Sequence, residues 1–307
     1  MKNFLSKAFA VLRDTYYEFF NDHVTALGAG LSFYTVLSLP PILMMILLVL
    51  GNFLGATELE DQINQNLTLF VGKQAASIIH GISVSAFQFQ SGIGITLVGI
   101  ITTYFSATSV WIQLQWVFNF IWRVKPKTGT RNIIIKFLKD QLVALLIIIV
   151  IVIFIVVGLM YGILLNVFSE YLQLYLTDSA IYILQLINFT VSYGSAVLLF
   201  AFAFKYIPDV QLKWRDVWGG AFFTAVLFGL GRYLIGLYLS RAVMITSAYG
   251  VAGSVVLLLL WIYYISIILF LGAEFTKALY LYRGNTIKPT RYAIVDKIPD
   301  GSLADTV

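Results

Sequence analysis

Charge-free runs constrain this chain more than any other feature of its sequence. Residues 24–57, 81–122, 141–169, 179–204 and 242–273 carry no Asp, Glu, Lys or Arg, and a sixth run, 217–240, is interrupted only by Arg232. Each exceeds the roughly 20 residues with which an α-helix crosses about 30 Å of hydrocarbon. Gln88, Gln90, Ser91 and Gly92 make the first third of 81–122 polar, so one helix is expected there rather than two. The expectation is an all-α integral membrane protein with about six transmembrane helices, near 26–50, 93–120, 142–167, 180–204, 217–240 and 249–274. Charged residues make up 11% of the chain, against roughly a quarter in soluble domains, which excludes a water-exposed surface of ordinary size. One membrane domain over 24–282 follows.

Orientation is read from the basic residues, which stay on the cytoplasmic side. The N-terminus, the 123–140 loop, the 205–216 loop and the tail from Lys277 hold three, six, three and five of the 20 Lys and Arg. The opposite side holds Lys73 and Arg241, so both termini are expected in the cytoplasm. The charge distribution of residues 1–23 argues against a cleaved signal. Leu5, Ala8, Phe9, Leu12, Tyr16, Phe19 and Phe20 instead form one face opposite Asn3, Lys7, Asp14, Glu18 and Asn21, the pattern of a helix lying on the membrane surface. Leu59, Ile63, Leu67 and Phe70 recur at helical spacing among acids and predict an external amphipathic helix over 56–80. Gly284, Pro289, Pro299 and Gly301 predict a loose cytoplasmic tail over 283–307. Self-similarity between the halves, the mark of an inverted repeat, is not found.

Enzyme chemistry has little to stand on. Cysteine is absent and the two histidines, His23 and His80, have no neighbouring ligand at metal spacing. No Gly-rich phosphate loop appears, and the acids Glu58, Glu60 and Asp61 fall on the side away from cytoplasmic RNA. Neither a catalytic residue, a metal nor a cofactor is expected. The basic 123–139 loop follows from orientation alone, and without interleaved aromatics it does not predict a nucleic-acid partner. Small residues at four-residue spacing, Ala26/Gly30, Gly158/Gly162 and Ala221/Ala225/Gly229, predict close helix packing, with homo-oligomerisation as the alternative use.

With the spans placed, the sequence resembles the YihY/BrkB family of bacterial inner-membrane proteins. The resemblance rests on Ala26–Tyr34 followed by Ser38-Leu-Pro-Pro41, Asn119-Phe-Ile-Trp-Arg123, Tyr206-Ile-Pro208, Gly220-Ala221, Gly231-Arg232 with Leu237-Tyr238, Tyr249-Gly250 and Leu271-Gly-Ala-Glu274. These fall in order over roughly residues 13–280. The bulky, amide-rich Trp111, Gln113, Gln115 and Trp116 depart from the pattern. The family has carried a ribonuclease label, which these residues oppose, and a suggestion of lipid or envelope-component export, which they permit.

Two residues inside spans carry the functional expectation. Pro40 and Pro41 free the carbonyls of Val36 and Leu37, so the first helix is expected to kink or break. Arg232 follows Ala225 and Gly229 on the small-residue face and is expected to point inward at similar depth, where a cation and a new helix N-terminus suit a phosphate or carboxylate. The resemblance implies a basic residue there too. Arg232, Ser38, Pro40 and Pro41 are therefore the candidate substrate site, for membrane lipids and in particular an anionic phospholipid. Snorkelling of Arg232 to the outer interface, or its bonding to the freed carbonyls of Val36 and Leu37, is the structural alternative. Glu274, Arg123 and Asn119 are read as gate or structural residues. Glu274 sits at the inner interface, too shallow for a buried proton relay, and a pair with Lys277 is the plain expectation. The functional reading is a transporter or flippase for an amphipathic anion, with a non-transporting membrane scaffold as its alternative.

Overall fold

The computed structural model describes residues 2–54, 108–127, 179–241 and 243–296. Helices α1 (Lys2–Asn21) and α2 (Val24–Leu54) are followed by α3 (108–121), α4 (Ser179–Tyr206), α5 (Trp214–Arg241) and α6 (Val243–Tyr282). Apolar stretches long enough to cross a membrane lie at Phe189–Tyr206, Trp214–Leu234 and Leu258–Tyr282, and a shorter one opens α2 at Val24–Leu39. This is an all-α membrane protein. The expected external helix, the span near 142–167 and most of the span near 93–120 lie outside the described residues. α6 is 40 residues long and begins at Val243, six residues before the expected start at Tyr249.

Contacts along the helices fix their directions. Phe202 meets Trp214 while Tyr193 meets Gly229, so α4 and α5 run antiparallel. Gly220 faces Thr276 while Gly231 faces Tyr264, so α5 and α6 do too. The α5–α6 contact is a reciprocal interlock. Gly220 on α5 seats Thr276 of α6, and Gly272 on α6 seats Thr224 of α5. Each threonine hydroxyl bonds the carbonyl of the glycine four residues earlier on its own helix, Thr224 to Gly220 at 2.7 Å and Thr276 to Gly272 at 2.6 Å. Their polar groups are thus satisfied internally, as an apolar surrounding requires. At the centre Phe118, Phe204 and Phe270 from α3, α4 and α6 come together, all fully buried.

The tail expected to be loose from 283 is ordered through 296. Gly284, with φ 76°, reverses the chain after α6. Strand β2 (Ala293–Val295) then pairs antiparallel with β1 (Val124–Pro126), and Val210 bridges Pro289. Backbone bonds from Gln211 to Lys288 and from Thr290 to Asp209 continue the cap. Turn residues marked the chain reversal correctly, but the partners for this tail's backbone are two loops remote in sequence, which apolar periodicity cannot reveal.

Candidate functional site

α1 docks through a narrow face. Val11, Thr15 and Asp22 are buried, whereas Phe9, Leu12, Tyr16 and Phe20 of its apolar face are exposed. Glu18, expected on the outward polar side, instead reaches the bundle. Its carboxylate accepts from Lys277 Nζ at 2.7 Å and from Arg123 at 3.3 Å. Arg123 also donates to Asp22, and Lys277 donates to Glu274 at 3.3 Å. Five charged side chains from α1, the α1–α2 turn, the segment after α3 and α6 are thereby gathered at one end of the bundle.

Local geometry explains the convergence. Arg123 and His23 both adopt left-handed φ, 53° and 48°, where α3 and α1 end. That conformation terminates a helix and costs a non-glycine residue about 1 kcal/mol or more, so it persists only where surrounding contacts hold it. At Arg123 those contacts are the two carboxylates and the Phe120 ring, 5.2 Å from its guanidinium carbon.

The three carboxylates of Glu18, Asp22 and Glu274 each bring one oxygen within 4.8 Å of the others. Burial raises the affinity of Glu18 for its proton, but Lys277 and then Arg123 outweigh it and hold the carboxyl below its ordinary 4.5. Burial opposes the charge of Arg123, and Asp22 and Glu18 reverse that, raising its pKa. The Asp22 and Glu274 side chains are 2% and 0% exposed. Asp22 Oδ2 and Glu274 Oε1 have no hydrogen-bond partner among the described residues.

The remaining expected residues are scattered. Asn119 lies near the cluster in sequence but serves another contact, donating to Asp209 at 2.9 Å and accepting from its backbone N–H at 2.8 Å. Ser38 is buried and bonds Thr35 of its own helix. The helix N-terminus expected after Pro40-Pro41 is absent, because α2 remains helical from Val24 to Leu54. A membrane helix tolerates proline when local adjustment re-satisfies the freed carbonyls. The side chains of Pro40 and Pro41, and hence their expected meeting with Arg232, lie outside the described residues. Arg232 is exposed, not inward, although Gly231 beside it is buried against Tyr264. The small-residue face that buries Ala221 and Ala225 opens before it reaches Arg232.

Between α4 and α5 lies an apolar cleft of about 490 Å³ lined by Phe189, Tyr193, Val197, Trp218, Phe222 and Ala225, among others. Ala225 lines the cleft, and Gly229 and Arg232 follow it at helical spacing on α5, beyond the lining residues.

The arrangement defines an α-helical membrane protein with a buried charge cluster at one end and an apolar groove on one flank. The family described as virulence factor BrkB matches residues 15–293, and the chain belongs to it. It is 26% identical to a UPF0761 membrane protein of Verminephrobacter eiseniae over 257 residues, 83% of this chain and 58% of that protein. A UPF0761 membrane protein of Stenotrophomonas maltophilia is likewise 26% identical, over 91% of this chain and 62% of its own length. The chain thus spans about three-fifths of these curated relatives. No solved structure matches it.

Proposed function

We propose that this chain is a transporter or flippase for an amphipathic anion, such as a phospholipid or envelope precursor, in the bacterial cytoplasmic membrane with both termini inside. The observation that supports this reading is the stripe joining an apolar groove to a cation. Ala225 lines the groove, Gly229 closes against Tyr193, and Arg232 stands exposed seven residues beyond Ala225, about 10 Å further along the helix. A ligand with an acyl chain and an anionic head matches that pairing. Its chain packs against Phe189, Val197 and Phe222, and its head meets a guanidinium that can bind phosphate through two parallel hydrogen bonds. An Arg exposed on an apolar membrane helix is costly to hold against lipid, so an anionic partner relieves that cost.

The test is reconstitution in liposomes with labelled phospholipid, comparing wild type, Arg232→Lys and Arg232→Gln. Movement above empty vesicles is expected for wild type, partial movement for Lys and loss for Gln at unchanged thermal stability. Full activity in Arg232→Gln, or no movement by well-folded wild type, overturns the reading; the latter, with a co-purifying protein, favours the scaffold alternative. A reporter fused after Val307 checks the topology, since activity in its periplasmic form contradicts cytoplasmic termini.

A further inference from the structure

The charge cluster does not balance. Glu18, Asp22 and Glu274 carry three negative charges when ionised, and Arg123 and Lys277, the cations that reach them among the described residues, carry two. A surplus negative charge would therefore stand where two of the carboxylates are shut off from solvent, a costly arrangement. Independently of that count, two oxygens are orphaned. Asp22 gives its Oδ1 to Arg123 and Glu274 its Oε2 to Lys277, which leaves Asp22 Oδ2 and Glu274 Oε1 buried without a donor among the described residues. Glu18, Asp22 and Glu274 each bring one oxygen within 4.8 Å of the others, and a hydrogen held between the Asp22 and Glu274 carboxylates supplies a donor there and also cancels the surplus charge.

We propose that Asp22 and Glu274 hold one exchangeable proton between these two oxygens, exchanged with solvent by way of Glu18. The side chain of Glu18 is 38% exposed and lies between Lys277 and Arg123, so it is the open member of the cluster. A divalent metal fits less well: it would turn the net charge to plus one beside two fixed cations, and both buried carboxylates already spend an oxygen on a cation. Proton loss leaves Asp22 of the α1–α2 turn and Glu274 of α6 repelling each other across the contact that docks α1. The site thus couples protonation to the seating of α1, whether or not the chain transports anything.

Infrared spectroscopy of the purified chain reads this directly. Wild type at neutral pH is expected to show the carbonyl stretch of a protonated carboxyl, shifted in D₂O and lost on alkaline titration. Asp22→Asn and Glu274→Gln each restore charge balance without a proton and remove one of the two carboxylates that would hold it, and each must abolish the band. Should an amide variant fail to fold, Glu274→Asp must retain the band at a moved position. In the folded state the pair binds a proton that the unfolded chain has released, so wild-type stability falls as pH rises, by about tenfold in the folding equilibrium per pH unit until the proton is lost. Asp22→Asn removes that slope. Absence of the band in wild type, its persistence in both amide variants, or stabilisation of wild type by added Na⁺ or Ca²⁺ at fixed pH overturns the proposal.

Discussion

Replacing Gly220 by alanine tests the α5–α6 interlock. A Cβ added there overlaps Thr276 Oγ1, stands 2.9 Å from Thr276 Cβ and 3.3 Å from the Gly272 carbonyl oxygen. Rotating Thr276 removes the overlap with the hydroxyl but gives up its 2.6 Å bond to Gly272, worth about 0.5–1.5 kcal/mol. The carbon–carbon approach remains, and relieving it means separating helices whose partner contact, Gly272 on Thr224, is equally close. Overpacking of this kind costs about 1–3 kcal/mol, and the better helix propensity of alanine returns up to about 1 kcal/mol. A net loss of about 1–2 kcal/mol is expected, a factor of roughly 5–30 in the folded population. Thermal and SDS-induced unfolding of detergent-solubilised protein measures it. Gly194→Ala is the control, because a Cβ there meets nothing within 4 Å. Adding Thr276→Gly to Gly220→Ala removes both clashing atoms and should make the pair less destabilised than the sum of its single variants. A Gly220→Ala protein as stable as Gly194→Ala, or strictly additive behaviour, would refute the reasoning.

Three further outcomes follow from named contacts. Arg123→Gln removes the cation from Asp22, whose side chain is 2% exposed, and should cost about 3 kcal/mol in the same unfolding assays; an unchanged midpoint contradicts the pairing. Asn119→Asp replaces the amide that donates to Asp209 with a second carboxylate and should destabilise by about 1–3 kcal/mol, with Asn119→Ala milder. Glu18 contributes stability that is full above its ordinary 4.5 and is lost as pH falls through its depressed folded value. The acid limb of wild-type stability should therefore be steeper than that of Glu18→Gln, and parallel limbs would show that the Lys277 and Arg123 contacts do not form.

What the sequence determined by itself is the solvent of this protein and the kind of element it builds. Charge-free runs of more than 20 residues admit only helices in lipid, because every backbone group must be satisfied within its own segment, and α2, α4, α5 and α6 lie where those runs lie. The Glu274–Lys277 pair was legible too, since three residues along a helix always face one another. Only tertiary structure decided which residues meet across the chain. The stripe Ala221, Ala225, Gly229 was visible at four-residue spacing, yet the reciprocal α5–α6 interlock uses Gly220 and Thr224 with Gly272 and Thr276, one residue around the helix, because which face meets a neighbour depends on where the other helices lie. Glu18 looked solvent-facing, since a helix wheel assigns charge to water when it cannot see cations arriving from residues 123 and 277. Glu274 looked too shallow for a buried proton relay, yet it is buried, since depth along a helix measures distance from the lipid midplane, while burial depends on whether another element, here α1, covers the end.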